Sequence, residues 1–188
     1  ADVSRPVDAN RLVSRLAVAL LPVSRPAVAK ATAATTPRLA DVNRLVDDGC
    51  TLQIGFGHLP DAIMPYLSDK KDLGIHTQVI TDGLLPLFKN KVITNKRKQH
   101  LPDRVVASLC MGSRNLYDFV NNNPIFYFKS SEFVNDPNVI ARNDNFISIS
   151  SALEVDLTGQ VCTDSKGYLI YSGIGDQVDF IRGSAMSK

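Results

Sequence analysis

The sequence lacks the features by which several classes of protein are recognised. Its 188 residues carry a net charge of only +2, which is too small to predict a nucleic-acid surface. The apolar stretch Leu12 to Val23 is too short to span a bilayer, and Arg15 and Pro22 interrupt it. We therefore expect no nucleic-acid partner and no membrane span.

Cysteine and histidine are both scarce. The three cysteines are widely spaced: Cys50, Cys110 and Cys162. An odd number at these spacings predicts neither a disulfide framework nor a zinc site, and each cysteine is interpreted as a small buried hydrophobic residue. The three histidines are also far apart: His58, His76 and His100. No metal-ligand spacing is present, so the sequence predicts no metal and no covalently bound cofactor.

Acidic residues are absent from Ala9 to Ala40, a stretch that carries five basic residues. Such a composition is typical of organellar transit peptides, and near-helical spacing of apolar and basic residues from Arg11 to Leu20 fits an amphipathic helix. We therefore predict a basic Ala/Pro-rich extension over residues 1–39, either transit-like or a retained docking arm, and a folded domain over 40–188. Both interpretations of the extension indicate a mitochondrial protein on the matrix side.

Beyond the extension, short apolar segments alternate with glycine turns and helical segments. Thr51–Ile54 is a predicted strand that leads through a glycine turn into a helix near Pro60. A second strand is predicted from His76 to Thr81, and a third from Val105 to Met111. This alternation predicts an α/β fold with an open, mostly parallel sheet whose loops gather at the carboxyl ends of the strands.

Two glycine turns are candidate ligand-binding loops. Gly55 and Gly57 stand between a strand and a helix, where backbone N–H groups can approach an anion, although such a pair is more often only a tight turn. Gly173 and Gly175 form a second turn of this kind before Gln177. The basic run Lys96 to Lys98 is interpreted as a solvated loop, with contact to an anionic ligand as the alternative.

Five ordered stretches resemble one family, the acetyl-CoA hydrolase and 4-hydroxybutyrate CoA-transferase group. They are residues 55–62, 111–119, 133–145, 150–161 and 175–183. The resemblance covers roughly Asp48 to Gly183 and implies a fold of CoA-transferase type with a coenzyme A thioester as ligand. It also implies that Gly55, Gly57, Gly173, Gly175 and Gln177 lie at the coenzyme site.

The family pattern His-Thr-Glu-x-x-x-Asp-Gly reads here as His76 to Gly83, with Gln78 in place of the glutamate. The resemblance implies that this glutamate attacks the acyl-CoA. An amide has no anionic oxygen to donate, so Gln78 predicts an inactive nucleophile position. Asp176 is a second departure, because the family loop ends Gly-Gly-Gln, and a carboxylate there opposes a developing oxyanion.

The resemblance further implies two tandem α/β domains, of which this chain matches the early part of the second, so we expect another chain to cover its open sheet edge. We interpret the protein as a degenerate CoA-transferase homologue that acts as a structural subunit of a mitochondrial assembly. Two alternatives remain open. One is an active hydrolase or transferase subunit completed by a partner chain, and the other is a CoA-binding regulatory module.

Overall fold

A computed structural model describes residues 16–20, 36–156 and 160–188. The α-helices of this part of the chain are α1 (Thr36–Leu45), α2 (His58–Ile63), α3 (Leu85–Lys89), α4 (Arg114–Val120), α5 (Ser131–Val134), α6 (Pro137–Ile140) and α7 (Gln177–Met186). Short 3₁₀ turns precede α3 and follow α2, at Asp82–Leu84 and Met64–Leu67. Asp136 caps α6, since its side chain accepts a hydrogen bond from the Asn138 N–H.

The strands are short. They are β1 (Leu16–Leu20), β2 (Thr51–Ile54), β3 (Gly74–Ile75), β4 (Val79–Ile80), β5 (Val105–Ala107), β6 (Leu109–Cys110), β7 (Phe126–Phe128), β8 (Phe146–Ala152), β9 (Glu154–Val155), β10 (Val161–Cys162), β11 (Ser165–Lys166) and β12 (Leu169–Ile170). The last four form two small antiparallel pairs, β9 with β10 and β11 with β12.

The main sheet is parallel and has the order β1-β8-β2-β3. A parallel bridge between His76 and Val106 carries the pairing onward. Beyond it, β4 pairs with β6 and β5 pairs with β7, again in parallel. The predicted α/β fold with an open, mostly parallel sheet is therefore confirmed.

The two faces of the sheet differ in chemistry. On one face Leu52, Ile54 and Ile149 join the larger hydrophobic core, which α1, α2, α3 and α4 help to cover. On the opposite face the same strands present buried polar residues, among them Gln53 and Ser148. Strands buried on both faces are typical of parallel sheets, and this one buries polar groups on one of them.

Helix α7 covers the polar face. Phe180 is fully buried and stacks on Phe146 at 6.3 Å, while His76 meets both rings edge-on. The Asn145 N–H donates to the Lys188 carbonyl at 2.8 Å, so the end of α7 lies beside the start of β8. The Phe146 N–H also donates to the Ser187 hydroxyl, so Phe180 and the residues after α7 both contact the start of β8.

Several sequence-based expectations need correction. Leu16–Leu20 is a strand paired with β8, so the helix expected from Arg11 to Leu20 is wrong for these five residues, and the rest of it lies outside the described residues. The backbone of this segment pairs with β8 over five residues. The predicted strand from His76 to Thr81 is broken around Gln78, and the one from Val105 to Met111 is broken at Ser108.

The extension and its boundary are described only in part. Helix α1 begins at Thr36, four residues before the predicted domain start at residue 40. Residues 1–15 and 21–35 of the predicted extension lie outside the described residues. The division into 1–39 and 40–188 stays a prediction.

We predict that Phe180→Ala lowers the free energy of unfolding by about 3–5 kcal/mol, because it removes a fully buried ring that joins α7 to the sheet. Tyr168→Ala is the matched control: that ring is 93% exposed, and its loss should change stability by less than about 0.5 kcal/mol. Urea unfolding of both variants measures the difference. Equal effects would show that α7 does not depend on this contact.

Candidate functional site

The parallel register brings Gly55, Gln78, Ser108 and Ser150 to one level at the carboxyl edge of the sheet. The pairing of Leu52 with Ile75 places Gly55 beside Gln78. The pairing of Ile54 with Ile149 places Gly55 beside Ser150 on the other side. On the far side of Gln78, the pairing of Val79 with Leu109 places Ser108 next in line. These four residues form a row along the carboxyl edge. Gln78, at the family nucleophile position, lies between Gly55 and Ser108 in this row.

The backbone at Gln78 is held by its neighbour strand. The Gln78 carbonyl accepts hydrogen bonds from two successive N–H groups, those of Ser108 at 3.0 Å and Leu109 at 2.9 Å. The register is the same on both sides of this point, His76 with Val106 and Val79 with Leu109, so no residue is inserted and the two strands bend together at Gln78 and Ser108. This shared bend holds Gln78, which the sequence pattern alone predicted as regular strand.

The Gly55 to Gly57 turn is open on its outer side. The Gly55 N–H donates to the Ile149 carbonyl at 2.7 Å, which ties the turn to β8. Gly57 has a φ of +125°, which side chains disfavour, and a Cβ placed there would meet nothing within 4 Å. Phe56 between them is 61% exposed. The turn borders Gln78 as the sequence suggested, but its part in ligand binding stays a prediction.

Polar links fix the loop that follows Gln78. The Thr81 hydroxyl donates to Asp61 at 2.6 Å, and Asp82 accepts from both the N–H and the hydroxyl of Ser113 at 2.7 Å. Ser113 occupies the N-cap position of α4, but its hydroxyl donates to Asp82 and makes no capping bond to the helix. These bonds join α2 and α4 to the Gln78 segment and restrict its motion.

The loop of Gly173 and Gly175 is open to solvent, since a Cβ at either position would meet nothing within 4 Å. Gly175 has a φ of +68°, and Asp176 follows it as the N-cap residue of α7. Burial, assisted by the nearby charge of Asp179, raises the pKa of Asp176. The carboxyl of Asp176 is thus half-buried at the start of α7, and Gln177 behind it is buried.

His76 lies two residues before Gln78 and is fully buried. Its Nε2 is 2.8 Å from the Val134 carbonyl, which can only accept, so Nε2 carries the proton. Burial is the largest cause that lowers the pKa of His76 to about 3, and the charges of Lys98 and His100 lower it further. The imidazole is therefore neutral and ties β3 to α5.

Lys98 is not in a solvated loop, and that expectation is wrong. Its side chain is buried, and Nζ donates to the Ile75 carbonyl at 2.9 Å and to the Arg104 carbonyl at 2.7 Å. Gly74 permits this, because a Cβ there would lie 2.5 Å from the Lys98 side chain. Burial lowers the pKa of Lys98 to about 7. Contact of this ammonium with a coenzyme phosphate is thus disfavoured.

A shallow open depression of about 500 Å³ lies beside the starts of α5, α6 and α7. It is lined by Ser131, Glu132, Asn135, Asp136, Pro137 and Asp179. None of the predicted site residues lines it, and its three carboxylates disfavour an anionic ligand. Among the described residues, no cluster of three or more metal-ligating side chains occurs, and no helix has the length and apolarity to cross a membrane.

Comparison with known proteins gives the family. The sequence of residues 112–188 matches the acetyl-CoA hydrolase/transferase C-terminal domain. A 4-hydroxybutyrate coenzyme A transferase from Clostridium kluyveri is 49% identical over 81% of this chain. The chain belongs to the acetyl-CoA hydrolase/CoA-transferase family. An acetyl-CoA hydrolase from Kluyveromyces lactis is a more distant member, 27% identical over 77% of the chain.

Solved structures agree with this family. RipA from Yersinia pestis matches with a TM-score of 0.75 and 40% identity, covering 80% of this chain and 34% of its own. A 4-hydroxybutyrate CoA-transferase from Porphyromonas gingivalis matches with a TM-score of 0.71 and 43% identity, covering 80% of this chain and 35% of its own. The chain spans 37% of the length of the Clostridium kluyveri transferase and 27% of that of the Kluyveromyces lactis hydrolase.

We predict that stability rises with pH between 7 and 9 because of Lys98. Its folded pKa of about 7 lies below the ordinary 10.5, so the unfolded chain binds the additional proton in this range. A single such group contributes a slope approaching 1.4 kcal/mol per pH unit, roughly 2 kcal/mol over the range. Urea unfolding at a series of pH values should show this rise.

The exposed neighbour Lys96 provides the control for this experiment. Lys98→Met should flatten the rise, whereas Lys96→Met should leave it unchanged. A wild-type profile that is flat from pH 7 to 9 would contradict a buried lysine with a lowered pKa.

Proposed function

We propose that this chain is a CoA-transferase homologue without its covalent nucleophile, retained as a structural subunit of a larger assembly. One observation carries the proposal: Gln78, an amide, stands in the centre of the row at the carboxyl edge where the family pattern has a glutamate. An amide nitrogen is delocalised into its carbonyl and cannot form the acyl anhydride. Loss of a covalent nucleophile typically costs on the order of a million-fold in turnover.

The loop before α7 supports the same conclusion. Asp176 places a half-buried carboxyl next to Gly175, in a loop where the family pattern has glycine. Negative charge at this point opposes the charge that develops on a thioester oxygen during attack. The acidic depression nearby adds charge of the same sign.

Exposed apolar side chains near the carboxyl edge support a protein partner. Phe56 is 61% exposed, Leu109 50% and Met111 47%. Apolar groups gathered near one edge favour contact with another protein surface. We propose that other subunits cover this edge, and that the acid-free basic segment from Ala9 to Ala40 directs or docks the chain on the matrix side of a mitochondrion.

A second function is favoured by the glycine turns of the family pattern that this chain retains. We propose as the alternative that the Gly55 to Gly57 turn, the bend at Gln78 and the open glycine loop before Gln177 bind a coenzyme A thioester without reacting with it. In that case the chain is a CoA-binding module. An active acyl-CoA hydrolase or CoA-transferase requires, in addition, a carboxylate supplied by a partner chain.

We predict that Gln78→Glu gains covalent chemistry which the wild type lacks. The protein in its native assembly is incubated with acetyl-CoA or 4-hydroxybutyryl-CoA, and mass spectrometry searches for a CoA adduct on this chain. The variant should form a borohydride-sensitive adduct at residue 78 at a rate on the order of 100-fold or more above the wild type, since a carboxylate supplies the nucleophile.

Gln78→Asn is the matched control, because it retains an amide and should form no adduct. A CoA adduct on any residue of the wild-type chain would overturn the proposal that the nucleophile is lost. Binding of acetyl-CoA without an adduct would favour the CoA-binding module.

We also predict that Asp176→Gly speeds adduct formation in the Gln78→Glu background by roughly 10-fold, because it removes an opposing carboxyl at the start of α7. Asp179→Asn removes a charge one turn further along the same helix and is the comparison. The rate of adduct formation is the measurement. Equal rates for the two variants would show that the carboxyl of Asp176 opposes the reaction no more than the carboxyl of Asp179.

A further inference from the structure

Buried polar atoms on both sides of the contact between the sheet and α7 lack a hydrogen-bond partner among the described residues. Gln53 Nε2 and His76 Nδ1 belong to the sheet face that α7 covers, and Gln177 Nε2 belongs to α7. Gln53 and His76 are fully buried, and Gln177 is 8% exposed. An unpaired buried donor or acceptor costs roughly 1–3 kcal/mol, so a cluster of them indicates a ligand that completes their bonds.

The register places Gln53 and His76 side by side. Leu52 pairs with Ile75, so the next residue of each strand, Gln53 and His76, lies at the same level and on the same face. Adjacent parallel strands are about 4.8 Å apart. The two unpaired atoms therefore lie side by side, and His76 is two residues before Gln78 in the chain.

Helix α7 closes this space from the other side. Phe180 contacts the His76 ring edge-on, and Gln177 precedes it by one turn on the buried face. Gln177 is therefore about 4.5 Å along the helix axis from the residue that contacts His76.

The unpaired state of Gln53 does not depend on which way its amide is turned. Its Oε1 accepts from the hydroxyls of Ser148 and Ser150. A hydroxyl can also accept, so a flipped amide would donate to the same serines and leave the oxygen unpaired. For His76, the bond from Nε2–H to Val134 leaves Nδ1 as an acceptor.

We propose that Gln53 and His76 bind a buried water molecule between β2 and β3, on the face that α7 covers. The water accepts from the Gln53 amide and donates to His76 Nδ1, which matches one unpaired donor with one unpaired acceptor. The Gln177 amide of α7 is the third partner, and about three partners are typical of buried waters. Through this water, Gln53 and His76 act as positioning residues for the segment that leads to Gln78.

The proposal does not depend on whether the chain binds a coenzyme. Its test is a crystal structure of the wild-type protein at a resolution that shows ordered water. The expected result is a water within hydrogen-bond distance of both Gln53 and His76 Nδ1. A direct hydrogen bond between the Gln53 amide and His76 Nδ1 would overturn the proposal, and so would an empty space between them.

A double-mutant cycle tests the coupling in solution. Gln53→Met and His76→Phe each remove one partner of the water. The second substitution should therefore lower the free energy of unfolding by clearly less when the first is already present. Thr51→Val is the matched control, since Thr51 Oγ1 is another unpaired buried atom of β2, one pleat further from the carboxyl edge. Its effect on the free energy of unfolding should add to that of His76→Phe. Additive effects of Gln53→Met and His76→Phe would overturn the proposal.

If His76→Phe does not fold, the wild-type protein and Gln53→Met suffice. The nuclear Overhauser effect between water and the His76 ring protons should be present in the wild type and lost in Gln53→Met. A signal that is absent from the wild type, or unchanged in the variant, would count against a water held by these two residues.

Discussion

The parallel register of β2 between β8 and β3 is the constraint on which the rest of the structure depends. A shift of one residue in either pairing would turn Gln53 to the opposite face and remove Gly55 from its place beside Gln78. With the observed register, residues from four segments meet at one level, although 95 positions separate Gly55 from Ser150. The central strands β2 and β8 hold this alignment because each pairs with a neighbour on both sides.

The same register explains why this sheet contains so many buried polar groups. Gln53, His76 and Ser148 lie on the face beneath α7, where purely apolar side chains would pack more easily. Their hydrogen bonds link β2 to β8 and β3 to α5, so the polar face connects elements that the apolar core does not. Such groups are costly to bury unless each is satisfied, and this favours a single arrangement of the site.

Retention of the scaffold and loss of the nucleophile are physically compatible. Glutamine has nearly the shape of glutamate, and the carbonyl of residue 78, which accepts two backbone hydrogen bonds, is the same in both. The bend at Gln78 therefore forms without the carboxylate, whereas covalent attack requires the carboxylate. The family fold can in this way outlast the reaction, and fold alone does not establish activity.

The sequence by itself determined the family, the α/β class, the glycine turns and the departures at Gln78 and Asp176, because motifs and strand periodicity are local properties. Only the tertiary structure decided that Gln78 lies at a bend shared by two strands, that Lys98 is buried and that Leu16–Leu20 is a strand. A basic run and an apolar segment have the same local pattern whether exposed or buried. Their environment depends on partners distant in sequence, such as Arg104 for Lys98 and β8 for Leu16–Leu20.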